Sequence, residues 1–333
     1  MRSTVVGAGS WGTTLALILN QNGHQVRCWA YEKKIVDDIT KTGTNKAFLP
    51  DIPIPDSIDF LTDLEEAIDQ SEIIVLATPA QAIRSVLKQI NFEKVKSAIW
   101  INVAKGIEKG TLKRISEVIH EICAVSFDRI GVLSGPSHAE EVSRKIPTTI
   151  VASSLNIKTA EKIQRLFATK YFRVYTNTDV IGVEIGGALK NVIALAAGIC
   201  DGAGYGDNTK AALITRGLVE IGRLGVKLGA KPDTFSGLSG MGDLIVTCMS
   251  KHSRNRYVGQ EIGRGIDLST ILKNMVMVAE GVETTNSAYA LAQKVSIEMP
   301  ITEQVYNVLY HNKAPGWAVQ ELMTRQSKSE RWG

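Results

Sequence analysis

The N-terminal half of the chain alternates short runs of β-branched and apolar residues with segments of helical period. β-Rich runs lie at Ser3–Val6, Gln25–Trp29, Ile73–Ala77, Ala98–Val103, Ile130–Leu133, Thr148–Ala152 and Phe172–Tyr175. Between them, Thr13–Leu19, Leu64–Ala67, Ile83–Ile90, Leu112–Ile122 and Thr159–Ala168 carry apolar positions at helical spacing. This alternation predicts a mainly parallel sheet with helices on both faces. Residues 45–50 and the proline-rich stretch after them are expected to form a loop. After Asp179 the pattern changes to helix only, over 184–199, 209–228, 256–264, 268–275, 282–294 and 301–310. We therefore expect an α/β domain over 1–180, an all-α domain over 181–325 and a polar tail over 326–333.

The first β-run leads directly into Gly7-Ala8-Gly9-Ser10-Trp11-Gly12 and then into a helix. A GxGxxG is weak alone and gains meaning between a strand and a helix. There Gly7 permits the tight turn, Gly9 lets a pyrophosphate approach the backbone, and Gly12 lets helix and strand pack closely. The helix start adds free N–H groups and partial positive charge. A dinucleotide cofactor is the expectation. Glu32 lies near the end of the second strand, where an acidic residue would hold a ribose hydroxyl. Lys33 and Lys34 beside it could instead hold a 2′-phosphate, or the cluster could simply open a solvated helix.

Lys190 interrupts the longest apolar stretch, Ile185–Cys200. The stretch reads as a buried helix, and a buried ammonium must be paired or lower its pKa. Such a lysine is suited to general acid–base work; the other reading is a salt-bridged structural lysine. Asp243 ends a loop of small residues, Ser236–Gly242, where it could accept from a substrate hydroxyl, from Lys190, or cap a helix. Arg254 and Asn255 lie in a basic segment with the donors to bind a phosphate. The Ser-Gly-Pro-Ser turn at 134–137 offers hydroxyls and N–H groups, and His138 follows it.

At 333 residues the chain can hold two cores, and its 44% hydrophobic and 22% charged content is that of a water-soluble fold. A net charge of +4 suits an anionic ligand and does not argue for nucleic acid. The four cysteines have no paired spacing, which predicts reduced, buried thiols and a cytoplasmic setting. The histidines have no metal-binding spacing. No secretory leader and no stable membrane insertion are expected.

Taken together, several motifs resemble the bacterial-type NAD(P)-dependent glycerol-3-phosphate dehydrogenases. They are GAGSWGTTLA at Gly7, NKAFLP at Asn45, AKGIEKGTL at Ala104, LSGPSHAEEV at Leu133, EIGGALKNVIALAAGICDG at Glu184, GLSGMGDLIVTC at Gly237, SRNRYVG at Ser253 and VAEGVETT at Val278. The resemblance implies reversible reduction of dihydroxyacetone phosphate to sn-glycerol 3-phosphate by NADH or NADPH, feeding phospholipid synthesis, in a homodimer. By position it implies proton transfer by Lys190, and substrate contacts from Lys105, Gly135, Ser137, Asp243, Ser253, Arg254 and Asn255. It implies cofactor contacts from the glycine loop with Ser10 and Trp11, and from Tyr31, Lys105, Ala139, Arg254, Val278 and Glu280. Three positions depart from the family pattern. Glu32 stands where an arginine is frequent, Phe48 where a tyrosine is usual, and His138 where a phenylalanine is common. A 6-phosphogluconate-type dehydrogenase, with a carboxylate substrate, and a non-catalytic dinucleotide sensor share the same general plan.

Overall fold

The computed structural model describes residues 1–327, 329 and 330, so part of the tail expected over 326–333 lies outside the described residues. The strands are β1 (Arg2–Val6), β2 (Gln25–Trp29), β3 (Thr44–Asn45), β4 (Leu49–Pro53), β5 (Ile58–Leu61), β6 (Ile73–Leu76), β7 (Ile99–Asn102), β8 (Ile130–Ser134), β9 (Thr148–Ser153) and β10 (Phe172–Asn177). Eight form one sheet in the order β10-β9-β8-β7-β6-β1-β2-β5. All neighbours are parallel except β8 and β9. β6 and β7 are buried at every position, as strands covered by helices on both faces must be. Fully buried Trp100, Phe167 and Phe172 add large apolar area to this domain's core.

Two strand features depart from expectation. Residues 45–50 are not all loop, because β3 and β4 pair there as a short antiparallel hairpin. β5 was not expected at all. It is an edge strand with one fully buried residue, Ile58, so it lacks the apolar run that marks the inner strands.

The order of the sheet reverses at β1: β2 and β6 both follow it in the chain but lie on opposite sides of it, so the sheet grows outward in both directions. That reversal leaves a crevice beyond the carboxyl ends of β1 and β6, where ligands of such sheets bind.

Beyond β10 the described residues are helical, arranged around the helix Val180–Gly202. The helix is long and apolar enough to cross a membrane, but 94% of its most apolar stretch is buried inside the protein. It is the core of the second domain. Asp179 starts it by accepting from Gly182 N at 2.9 Å. The helix Arg254–Gly263 crosses it closely. A Cβ at Gly198 would lie 2.0 Å from Arg256 O, and one at Gly259 2.0 Å from Leu195 O. Only glycine permits that approach, and it brings the basic segment against the face that carries Asn191, the neighbour of Lys190. All four cysteines are free and buried.

Candidate active site

A cleft of about 620 Å³ opens at the carboxyl ends of β1 and β6 and extends to Lys190 and Asn191 on the central helix. Gly7 has φ +121°, and a Cβ there would stand 2.8 Å from the backbone of Ala77. A Cβ at Gly12 would stand 1.9 Å from Gly7 O, whereas one at Gly9 would meet nothing within 4 Å. Gly9 is the N-cap of the helix Ser10–Gln21 and provides no side-chain cap. The first N–H groups of that helix are therefore available to an anion. The cradle fits the pyrophosphate of a dinucleotide. Ser10, Trp11, Tyr31, Ala139, Val278 and Glu280 line the same cleft. Tyr31 is 83% exposed at its mouth. Glu32 also lines the cleft, at the N-cap of the helix Lys33–Thr42, with no side-chain capping bond.

At the inner end three charged side chains meet. Lys190 Nζ donates to Asp243 Oδ1 and, at 2.8 Å, to Thr247 Oγ1. Lys105 Nζ donates to Asp243 Oδ2 at 2.7 Å and to Gly135 O at 2.9 Å. One carboxylate thus holds both lysines. Lys190 and Asp243 are 5% and 1% exposed. Burial pushes the Lys190 ammonium down to about 7; Lys105 adds to the fall and Asp243 opposes it. Asp243 is the first residue of the helix Asp243–Met249 and its N-cap is Gly242, so the capping alternative is set aside.

A line of amides joins this centre to the rest of the wall. Asn191 Nδ2 donates to Lys105 O at 2.9 Å, and Asn255 Nδ2 donates to Asn191 Oδ1 at 2.9 Å. Asn255 Oδ1 in turn accepts from Gly281 N at 2.8 Å. Ser253 Oγ caps its own helix by accepting from Arg256 N at 3.2 Å. Arg254 is exposed at the mouth, donating through one nitrogen to Val278 O at 2.8 Å and leaving the rest of its fork available. Glu280 Oε1 accepts from Ala80 N at 2.9 Å, and burial pushes its carboxyl up to about 6. Ser137 Oγ donates to Gly135 O at 2.9 Å.

Of the residues implied as catalytic, substrate or cofactor contacts, Gly12, Gly135 and Asp243 are behind the cleft wall and the others line it. Lys33 and Lys34, the candidates for a 2′-phosphate, are exposed and are not part of the lining. Sequence reasoning missed Asn191 and Thr247. Asn191 was visible as the second polar break in the apolar helix. Thr247 lies four residues after Asp243, on the same helical face. His138 and His252 line the cleft with rings 5.8 Å apart, and no protein group bonds His138 Nε2 among the described residues. Burial, then the charges of Lys190 and Lys105, lower the His138 pKa.

A family model described as "NAD-dependent glycerol-3-phosphate dehydrogenase N-terminus" matches residues 2–160, and its C-terminal counterpart matches 179–320. The chain belongs to the NAD-dependent glycerol-3-phosphate dehydrogenase family. Glycerol-3-phosphate dehydrogenase [NAD(P)+] of Thermoanaerobacter sp. is 54% identical, with each chain covered in full. The Chlorobium phaeobacteroides protein of the same name is 53% identical, over 99% of each chain. The crystal structure of glycerol-3-phosphate dehydrogenase from Coxiella burnetii superposes with a TM-score of 0.93 at 38% identity, covering 97% of this chain and 99% of that one.

Proposed function

We propose that the protein reduces dihydroxyacetone phosphate reversibly to sn-glycerol 3-phosphate, with NADH or NADPH as co-substrate. One observation carries the reading: the buried amine of Lys190 and the open glycine turn share a single cleft. Bound reduced nicotinamide supplies the hydride that attacks C2 of the substrate.

Lys190 performs the proton transfer. As ammonium it gives a proton to the C2 oxygen as that oxygen gains negative charge, and as amine it takes the proton back in the reverse direction. Asp243 and Thr247 fix its Nζ. Lys105, held on Asp243 and Gly135, places a second positive charge beside the developing alkoxide. Arg254, with Asn255 and Ser253, binds the phosphate, and Ser137 the rest of the substrate. Anchoring the phosphate away from C2 converts remote binding energy into orientation of the reacting carbon. Gly7, Gly9, Gly12, Ser10, Trp11, Tyr31, Ala139, Val278 and Glu280 hold the dinucleotide. Residues 1–180 and 181–325 are assigned as the cofactor and substrate domains. On the same reading the enzyme is a cytoplasmic homodimer that supplies glycerol phosphate for phospholipids, and its mass in solution tests the dimer.

The deciding experiment follows absorbance of each reduced nicotinamide with dihydroxyacetone phosphate, and with a carboxylate substrate such as 6-phosphogluconate in reverse. Turnover on the ketone phosphate alone is expected. Tight cofactor binding without turnover on any substrate would overturn the reading.

A further inference from the structure

Glu184 is a buried carboxylate that the proposed reaction does not use. It lies on the central helix ahead of Lys190, outside the cleft wall, with its side chain 5% exposed. Its two oxygens accept four hydrogen bonds. Oε1 takes Asn102 Nδ2 at 3.1 Å and Ser116 N at 2.9 Å. Oε2 takes Arg114 Nη1 at 2.8 Å and Ser116 Oγ at 2.5 Å. A buried charge held this completely, between two domains, is costly to build without a use for the geometry.

The contact with Asn102 points to that use. Asn102 is the last residue of β7, and its Oδ1 accepts from Ala104 N at 2.9 Å. Asn102 therefore shapes the turn that delivers Lys105. The other side of the turn is held by Asn191, which donates to Lys105 O. Both holders of the turn are thus fixed to the helix that carries Lys190.

We propose that Glu184 is a positioning residue which, through Asn102, seats the Lys105 turn on the central helix and so fixes Lys105 relative to Lys190 around Asp243. The inference rests on the proposed reaction. Lys190 is faced by Asp243 and neutral Thr247 from the helix Asp243–Met249, and feels the charge of Lys105 from the turn after β7. His138 lies near it on the loop after β8. Glu184 itself is faced by Arg114, whose other carboxylate partner is Glu117. If the turn loosens, the Lys105 charge recedes from Lys190.

The test is Glu184→Gln in the full chain, alone and combined with Lys105→Ala. Alone, kcat should fall on the order of tenfold to a hundredfold, as small misplacements of reacting groups do. The KM for the nicotinamide should stay unchanged, and the basic limb of the kcat–pH profile for ketone reduction should move to higher pH. In the Lys105→Ala background the same substitution should cost almost nothing more. Should Glu184→Gln fail to fold, Asn102→Ala carries the same test, because it leaves Glu184 bonded to Arg114 and Ser116. An equal loss with and without Lys105 would overturn the inference, as would wild-type kcat and pH profile. A wild-type protein inactive on dihydroxyacetone phosphate would instead overturn the reaction itself.

Discussion

Lys190 and Asp243 form an ion pair in which the two side chains are 7% and 1% exposed. Asp243 also holds Lys105, so removing Lys190 does not strand its charge. Lys190→Ala should therefore fold. Its kcat should drop by about 10²–10⁴-fold, the usual worth of a positioned acid. Nicotinamide affinity, read by fluorescence titration, should be retained. Near-normal turnover would remove Lys190 as proton carrier.

The direction of the pH dependence follows from burial of that amine, which lowers it to about 7. Ketone reduction needs the ammonium and should decline as pH rises through that value. Alcohol oxidation needs the free amine and should decline as pH falls through it. Initial rates in both directions across pH check the crossing; parallel profiles would contradict it.

Gly9 and Gly12 should respond differently to alanine. A methyl on Gly12 would collide with Gly7 O, which should destabilise the fold by at least about 1–3 kcal/mol. A methyl on Gly9 meets no protein atom and projects into open space at the cradle. Gly9→Ala should melt like wild type yet bind the dinucleotide weakly. Thermal melts with and without cofactor separate the two effects.

Arg254 both offers a fork to the phosphate and pins Val278 O. Arg254→Ala should raise KM for dihydroxyacetone phosphate roughly tenfold to a hundredfold, for loss of about 1.5–3 kcal/mol of charged hydrogen bonding. A smaller rise is expected for cofactor, through the loosened Val278. An unchanged substrate KM would place the phosphate elsewhere.

Glu220 provides a structural test. It is buried, accepts from Ile301 N at 2.7 Å and Thr302 N at 3.2 Å, and burial raises its carboxyl to about 7. A raised acid binds a proton more readily folded than unfolded, so its contribution is full at low pH. That contribution is lost as pH rises from the ordinary 4.5 through about 7. The stability advantage of wild type over Glu220→Gln should shrink across that window, as measured by denaturant unfolding at several pH values.

The sequence by itself determined the alternation of strand and helix, the helical second half, the glycine turn and the single lysine in an apolar helix. These are local signals: periodicity, β-branching, and a charge where its neighbours are oily. Only the tertiary structure decided that Asp243 would take both lysines rather than cap its helix. It also decided that Asn191, Asn255 and Gly281 would link into one line, and that β9 would run against β8. Edge strand β5 and the β3–β4 hairpin were likewise hidden, because partly exposed strands carry little apolar pattern. The reason is common to all of them. Each depends on which distant segment supplies the partner, and a one-dimensional pattern records what a residue buries but not what it meets.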